Sequence, residues 1–366
     1  MIPVYEPYIT DIDRMSLIQA FDSKWISSQG EKMGEFRSGL EQYLSTGGSP
    51  VNVSLVANGT VALHLALLVA GVGPGDEVIV PSLTYVATVN AVLMCGATPV
   101  FVDSETTDWN ISPMDVANKI SNLTKAIIVV HLYGYSANLT EIMKISQKFG
   151  IKIIEDCAES FGTFYLGSQT GTLGDISTFS FFGNKTITTG EGGAVVVKDK
   201  SLFAIIEKLK NQGNSEVRYV HDVLGYNYRM TNLQAAIGVS QLIQLPEILD
   251  KKKYIHEYYR RNISNVVTWQ VACSGSEPNV WINSFLLPSR IDSQKFQSQL
   301  LMVGVETRPL FKLINKMSHI NMSDCFLPVA EDISLRGICI PSSPLLNEAE
   351  LEFITFEVNK LLNQQY

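Results

Sequence analysis

Lys185 stands in the stretch SFFGNKTITTGEGG, where an apolar run gives way to threonines and a glycine-rich turn. An amine placed among small hydroxylated residues at the exit of a buried strand can attack a carbonyl and bond to it covalently. Asp156 precedes it by 29 residues, at the end of the apolar run IKIIED. A carboxylate there can stay ionised opposite a cationic ring nitrogen. Glu159 follows one helical turn later, in EDCAES. Asn58, Gly59 and Thr60 lie between a β-like run and a strongly apolar helix, so the helix start offers backbone N–H groups and a hydroxyl to an anion. Ser180, Thr186, Thr188 and Thr189 add donors without charge, and Tyr85, in PSLTYVAT, offers a ring that can lie over a flat ligand.

Taken singly, each has an ordinary explanation: a solvated turn lysine, a capping carboxylate, an N-cap, a packed ring. Together they supply an amine, a partner for a pyridinium, an anion cradle and a stacking surface. Those are the protein-side needs of pyridoxal phosphate, whose protonated ring draws in electrons.

The elements that must bring these residues together alternate strand and helix from about residue 50. VNVSLV, EVIVPS, TPVFVD, KAIIVVH and IKIIED are short apolar runs, and TVALHLALLVAG, YVATVNAVLMCG and NLTEIMKISQKFG are helical between them. Such continuous runs predict a mostly parallel sheet covered on both faces, with ligands beyond the carboxyl ends of its strands. DISTFSFF and GGAVVVKD, joined by the lysine turn, predict an added antiparallel strand. The helix TNLQAAIGVSQLIQL leads to Pro246, where a boundary is expected between a large domain, 1–246, and a smaller α+β domain, 247–366.

The bulk composition narrows the function. With 366 residues, 46% hydrophobic and 17% charged, the chain is a large globular α/β protein rather than a disordered one. A net charge of −8 gives no field for nucleic acid or for an anionic membrane. No apolar stretch is long enough to span a bilayer, and the N-terminus lacks the pattern of a secretory signal, so a cytoplasmic location is expected. Five scattered cysteines offer neither a disulfide framework nor a zinc site. A nicotinamide-dependent oxidoreductase is disfavoured, because the candidate glycine-rich turn, GVGPG, has the wrong spacing and follows a helix. A binding protein without catalysis would have no need of the amine.

The segments NGTVALHLAL, GPGDEVIVPSLTYVATVNAV, GATPVFVD, IIEDCAESFG, GDISTFSFFGNKTITTGEGG and YNYRMTNLQAAIG resemble the blocks of the nucleotide-sugar aminotransferases, within the fold-type I class of pyridoxal 5'-phosphate enzymes. The resemblance spans essentially the whole chain. It implies a large domain with a mixed, mostly parallel sheet and transfer of the amino group of L-glutamate to a nucleotide-linked 4-keto-6-deoxy sugar. The foremost expectation is C4 of GDP-4-keto-6-deoxy-D-mannose, on the way to a surface polysaccharide such as an O-antigen. Another 4-keto-6-deoxy sugar, or a 3-keto sugar, on dTDP or UDP is the alternative. By the same resemblance Lys185 bonds the cofactor, Asp156 pairs with its ring nitrogen, Glu159 lies near the ring substituents and Tyr85 stacks on it. Gly59, Thr60 and Ser180 hold the phosphate. Asn227, in YNYRM, is implied to reach the phosphate in a neighbouring subunit, which makes a homodimer with shared active sites. His131, in VHLYG, and Arg308, in ETRP, are substrate-contact candidates, the guanidinium fork suiting a carboxylate or a phosphate. Dehydratases of similar sequence carry histidine where this lysine stands, so the lysine implies transamination.

Overall fold

Strand after strand in the first half of the chain is apolar on both faces, and in the computed structural model these runs pair into one sheet. The structure describes residues 1–320, 322 and 325–364, and every count below is of these residues. Two helices open the chain, α1 (Asp11–Asp22) and α2 (Glu31–Leu44). The alternation expected from the sequence follows: β1 (Asn52–Val56), α3 (Gly59–Val69), β2 (Glu77–Pro81), α4 (Ala87–Met94), β3 (Thr98–Val102), α5 (Pro113–Lys119), β4 (Thr124–Val130), α6 (Leu139–Phe149) and β5 (Lys152–Asp156). After the short pair β6 (Phe164–Tyr165) and β7 (Ser168–Gln169) come β8 (Ile176–Ser180), β9 (Gly193–Val197) and α7 (Lys200–Lys210).

The large sheet has seven strands in the order β1-β9-β8-β5-β4-β2-β3. Its pairs from β3 to β8 are parallel, while β9 runs antiparallel to both β8 and β1. The added strand is therefore antiparallel, as the lysine turn predicted. Alternate residues feed separate cores: Ile128 and Val130 of β4 join one cluster with Leu65 and Val89, while Ile127 and Val129 join another with Leu139 and Ile142. The carboxyl ends of β1, β2, β4, β5 and β8 consequently share one edge, and each opens into a loop that carries a residue singled out above.

Beyond residue 230 one helix dominates. α8 runs unbroken for 31 residues, Asn232–Asn262, with Pro246 inside it. The domain division expected at Pro246 therefore falls within this helix. A Thr231–Gln234 capping box fixes its start, and Leu245, Ile248, Lys252, Ile255 and Tyr259 form one buried stripe across the proline. Packing along that stripe outweighs one missing N–H. The rest comprises β10 (Thr268–Trp269), β11 (Ser276–Glu277), β12 (Ser284–Leu286), α9 (Ser293–Met302), β13 (Arg308–Pro309), α10 (Pro328–Arg336), β14 (Gly337–Cys339) and α11 (Glu348–Gln364). Four of these strands make a second, antiparallel sheet, β10-β12-β14-β13. The N-terminus crosses to this part: the Ile2 amide donates to Gly304 O at 2.7 Å, and the Ser342 amide donates to Val4 O at 2.8 Å.

Candidate active site

At the carboxyl edge of the large sheet lies a cavity of about 390 Å³, lined by Gly59, Thr60, Tyr85, Asp156, Glu159, Ser180, Lys185 and Arg308 among others. With Asn58, nine of the fourteen residues named from the sequence thus meet in one place. Except for Arg308, which comes from β13 of the second sheet, their convergence follows from the strand order, because each loop leaves the same edge.

Lys185 sits in the loop between β8 and β9, whose neck is closed by the pairing of Ser180 with Gly193. A Cβ on Gly193 would come within 2.6 Å of the Asn58 backbone. Only glycine lets the lysine loop lie this close to the start of α3. The Lys185 carbonyl accepts from the Tyr5 hydroxyl at 3.0 Å, and its Nζ stands 3.8 Å from the centre of the Trp281 ring. Burial lowers the pKa of this amine, against the opposing pull of Glu159 and then Asp156.

Asp156 is 4% exposed, at the last position of β5. Its Oδ2 accepts from the Thr88 hydroxyl at 2.8 Å and its Oδ1 from the Ala158 amide at 3.2 Å, so the carboxylate has a fixed orientation. Burial raises its pKa, with Thr88, the Ala158 amide and Lys185 acting the other way. Glu159 is pushed up to about 7, first by burial, while Lys185 and the Tyr133 amide that donates to it at 2.8 Å oppose the rise. Burial thus drives two acids and an amine toward neutrality in one pocket. A cationic ring nitrogen beside Asp156 would favour its ionised form.

The anion end has matching features. Asn58 caps α3, accepting from the Val61 amide at 3.0 Å through its side chain and from the Ala62 amide at 3.2 Å through its carbonyl. The amides of Gly59 and Thr60 are left at the open end of the helix. A Cβ on Gly59 would stand 2.9 Å from that of Ser180, so the two chains approach as closely as glycine permits and leave the Ser180 hydroxyl beside the helix start. The residues present therefore fit pyridoxal phosphate on three counts: an anion cradle, an oriented buried acid and a buried amine.

Around them runs an aromatic wall that no local motif announced. Tyr133 stacks on Phe311 with ring centres 5.3 Å apart and on Trp281 at 6.3 Å, and Tyr85 leans on Phe311 at 5.9 Å. Tyr133 holds a left-handed backbone, φ 54°, a strained state for a bulky residue. It is kept there by Glu159, by the Trp281 amide donating to its carbonyl at 2.9 Å and by the Phe311 amide donating to its hydroxyl at 3.2 Å. Trp281 and Phe311 come from the C-terminal part and carry no sequence signal of their own. Thr88 was within reach of the reading, since it ends the quoted PSLTYVAT.

Two placements differ from expectation. His131 is fully buried, with Nε2 3.1 Å from Glu155 and Nδ1 accepting from the Ala137 amide at 3.2 Å. It lies outside the cavity lining, so the substrate-contact reading is corrected to a structural one: both ring nitrogens are committed below the floor. Thr186, Thr188 and Thr189 are likewise buried within the lysine turn, where Thr188 donates to Phe181 O at 3.2 Å and Thr189 to Glu191 O at 2.6 Å. They shape the loop and do not line the cavity. Asn227 is exposed, accepts from Arg229 Nε at 3.0 Å and lies away from the cavity of its own chain.

The profile of the DegT/DnrJ/EryC1/StrS aminotransferase family matches residues 7–359. The chain belongs to that family. This aminotransferase is pyridoxal phosphate-dependent, in keeping with the fit of its cavity. It is 42% identical to the GDP-perosamine synthase of Escherichia coli O157:H7 over 100% of this chain and 99% of that one. With the GDP-perosamine synthase of Vibrio cholerae it shares 40% identity over 97% of each chain. The solved aminotransferase TlmJ from Streptoalloteichus hindustanus superposes with a TM-score of 0.94 at 27% identity, covering 100% of both chains. Among the described residues no helix is long and apolar enough to cross a membrane.

Proposed function

We propose that this aminotransferase moves the amino group of L-glutamate to C4 of GDP-4-keto-6-deoxy-D-mannose, forming GDP-perosamine. The observation that carries this reading is the end-to-end identity of 42% with a protein of that name. On this reading the enzyme works in the cytoplasm, its product enters a surface polysaccharide such as an O-antigen, residues 1–246 bind the cofactor and 247–366 form the smaller part. It works as a homodimer in which Asn227 serves the partner's site. The exposure of Asn227, and of Val217, Tyr219 and Leu224 nearby, supports that assembly.

When bound, pyridoxal phosphate supplies an electron-accepting ring that stabilises the charge released as a C–H bond breaks next to nitrogen. Lys185 would bond its aldehyde, Asp156 would hold its pyridine nitrogen, and the Gly59 and Thr60 amides with the Ser180 hydroxyl would hold its phosphate. Tyr85 would lie against the ring. Lys185 Nζ would take the proton at the amino donor's Cα, since burial favours the neutral amine that can accept it. Asp156, set by Thr88, would as a carboxylate favour a protonated ring nitrogen, and such a cation would in turn favour the ionised acid that burial alone disfavours. Glu159, with a pKa near 7, stands ready to hold a proton beside the ring. Arg308 lines the cavity, its Nε and Nη2 each 3.4 Å from Glu306 Oε1, long contacts that a donor carboxylate or the nucleotide phosphates would compete with.

Two measurements test this. Borohydride reduction with pyridoxal phosphate, followed by peptide mapping, should place the label on Lys185; a label elsewhere would remove the chemistry. Purified enzyme with glutamate should then aminate the GDP-linked sugar in preference to dTDP- and UDP-linked keto-sugars. Preference for one of the latter would retain the class and overturn the substrate.

A further inference from the structure

Lys252 is the one charged side chain among the buried residues of α8. Its neighbours behave as surface lysines do: Lys251 meets Glu247 at 3.2 Å, and Lys253 is exposed. Lys252 is 2% exposed, and burial is the sole influence on its amine, lowering its pKa to about 7. A methionine or leucine would fill the same stripe without taking an amine out of water. What the amine adds is a hydrogen bond.

Its Nζ donates to Trp281 O at 2.8 Å. That contact completes the fixing of Trp281, whose amide donates to Tyr133 O at 2.9 Å and whose Nε1 donates to Asn184 O at 2.6 Å. The ring so held is the surface on which Lys185 Nζ rests, 3.8 Å from its centre. A second line runs through Tyr5: its ring lies 5.2 Å from Lys252 Nζ, and its hydroxyl donates to the Lys185 carbonyl at 3.0 Å. The residues touched by Lys252 thus hold the peptide carbonyls on both sides of the Lys185 Cα.

We propose that Lys252 is a positioning residue for Lys185, holding that amine in place through Trp281 and Tyr5. The proposal rests on the reading of Lys185 as the lysine that bonds the cofactor. Lys252 is not itself at the cavity, so its effect is transmitted by the indole and the phenol. The π face of Trp281 favours the charged form of Lys185, as do Glu159 and Asp156 on the other side. Loosening the indole removes the first influence and leaves the two carboxyl groups untouched.

The test compares Lys252→Met with Lys252→Arg in the full-length enzyme. The rate at which apoenzyme takes up pyridoxal phosphate follows the neutral fraction of Lys185. Its pH midpoint should therefore fall by roughly half to one unit in Lys252→Met. In the holoenzyme kcat should drop roughly tenfold to a hundredfold through misplacement of the amine, with KM for glutamate changed by less than about threefold. Lys252→Arg, which keeps a donor, should restore most of both. A Lys252→Met enzyme with unchanged midpoint and kcat, whatever its thermal stability, would overturn the relay. If that variant does not fold, Trp281→Phe and Tyr5→Phe each delete one link to the lysine loop and should move the midpoint the same way; both silent would overturn it too. Borohydride mapping of the wild type separates the two levels. A label on Lys185 with silent variants sinks only the relay, while a label elsewhere sinks the Lys185 reading and the relay with it.

Discussion

Burial decides the behaviour of the charged residues in the cavity more than pairing does. Glu159 shows the consequence. Its folded pKa, about 7 against an ordinary 4.5, lies above that of the unfolded chain. Between those values the native state keeps a proton that the unfolded state has released, so stability falls as pH rises through that window and stays lower above it. Glu159→Gln should abolish this fall, leaving the apoprotein more stable than wild type at pH 8 by up to about 3 kcal/mol and little changed at pH 4.5. Urea unfolding at the two pH values measures it; equal differences at both would assign the effect to packing. Asp156 should respond differently. Because Thr88 and the Ala158 amide orient its carboxylate, Asp156→Asn should fold normally yet slow the half-reaction with glutamate by roughly a hundredfold or more. Single-turnover absorbance would show it, and a near-normal rate would remove the electron-sink role.

At the level of elements, the start of α3 is where sequence and site meet most directly. Its cap, Asn58, satisfies the Val61 amide, so Asn58→Ala should destabilise the protein by about 1 kcal/mol in chemical denaturation. Gly59→Ala acts on the ligand instead. The added methyl would sit 2.9 Å from Ser180 Cβ, forcing the helix start and β8 apart. Cofactor affinity should weaken at least tenfold by roughly the loss of one good anion contact, measured by titration of the apoenzyme. Unaltered affinity would place the phosphate elsewhere. The lysine turn repeats the logic with its threonines: residues that read as phosphate donors are spent on holding the turn, because a loop closed this tightly must satisfy its own backbone.

Across the whole molecule, the site draws on both ends of the chain. Tyr5 reaches the lysine loop from the N-terminus, and Trp281 and Phe311 wall it from beyond α8. The proposed dimer would extend this to a second chain. Lys185→Ala and Asn227→Ala should each be inactive alone. Mixed after reversible dissociation, they should recover roughly a quarter of wild-type activity, since half the dimers would carry one intact site built from both chains. No recovery despite proven exchange would confine each site to one subunit. The outer face of α1 leaves Ile12, Met15 and Phe21 exposed, an apolar row suited to such an assembly.

The sequence by itself determined the parallel sheet, the added antiparallel strand and the strand-end positions of Asp156, Gly59, Tyr85 and Lys185. Local pattern suffices for these, because an apolar strand followed by a loop points its residues to one edge whatever surrounds it. Tertiary structure alone decided three things. It carried α8 through Pro246, because a buried stripe on both sides outweighs one absent donor. It placed His131 against Glu155 beneath the floor, because alternation along a strand does not reveal what packs on either face. And it brought Trp281, Phe311, Tyr5 and Lys252 to the lysine from distant parts of the chain, a convergence of long-range packing that no spacing in the sequence encodes.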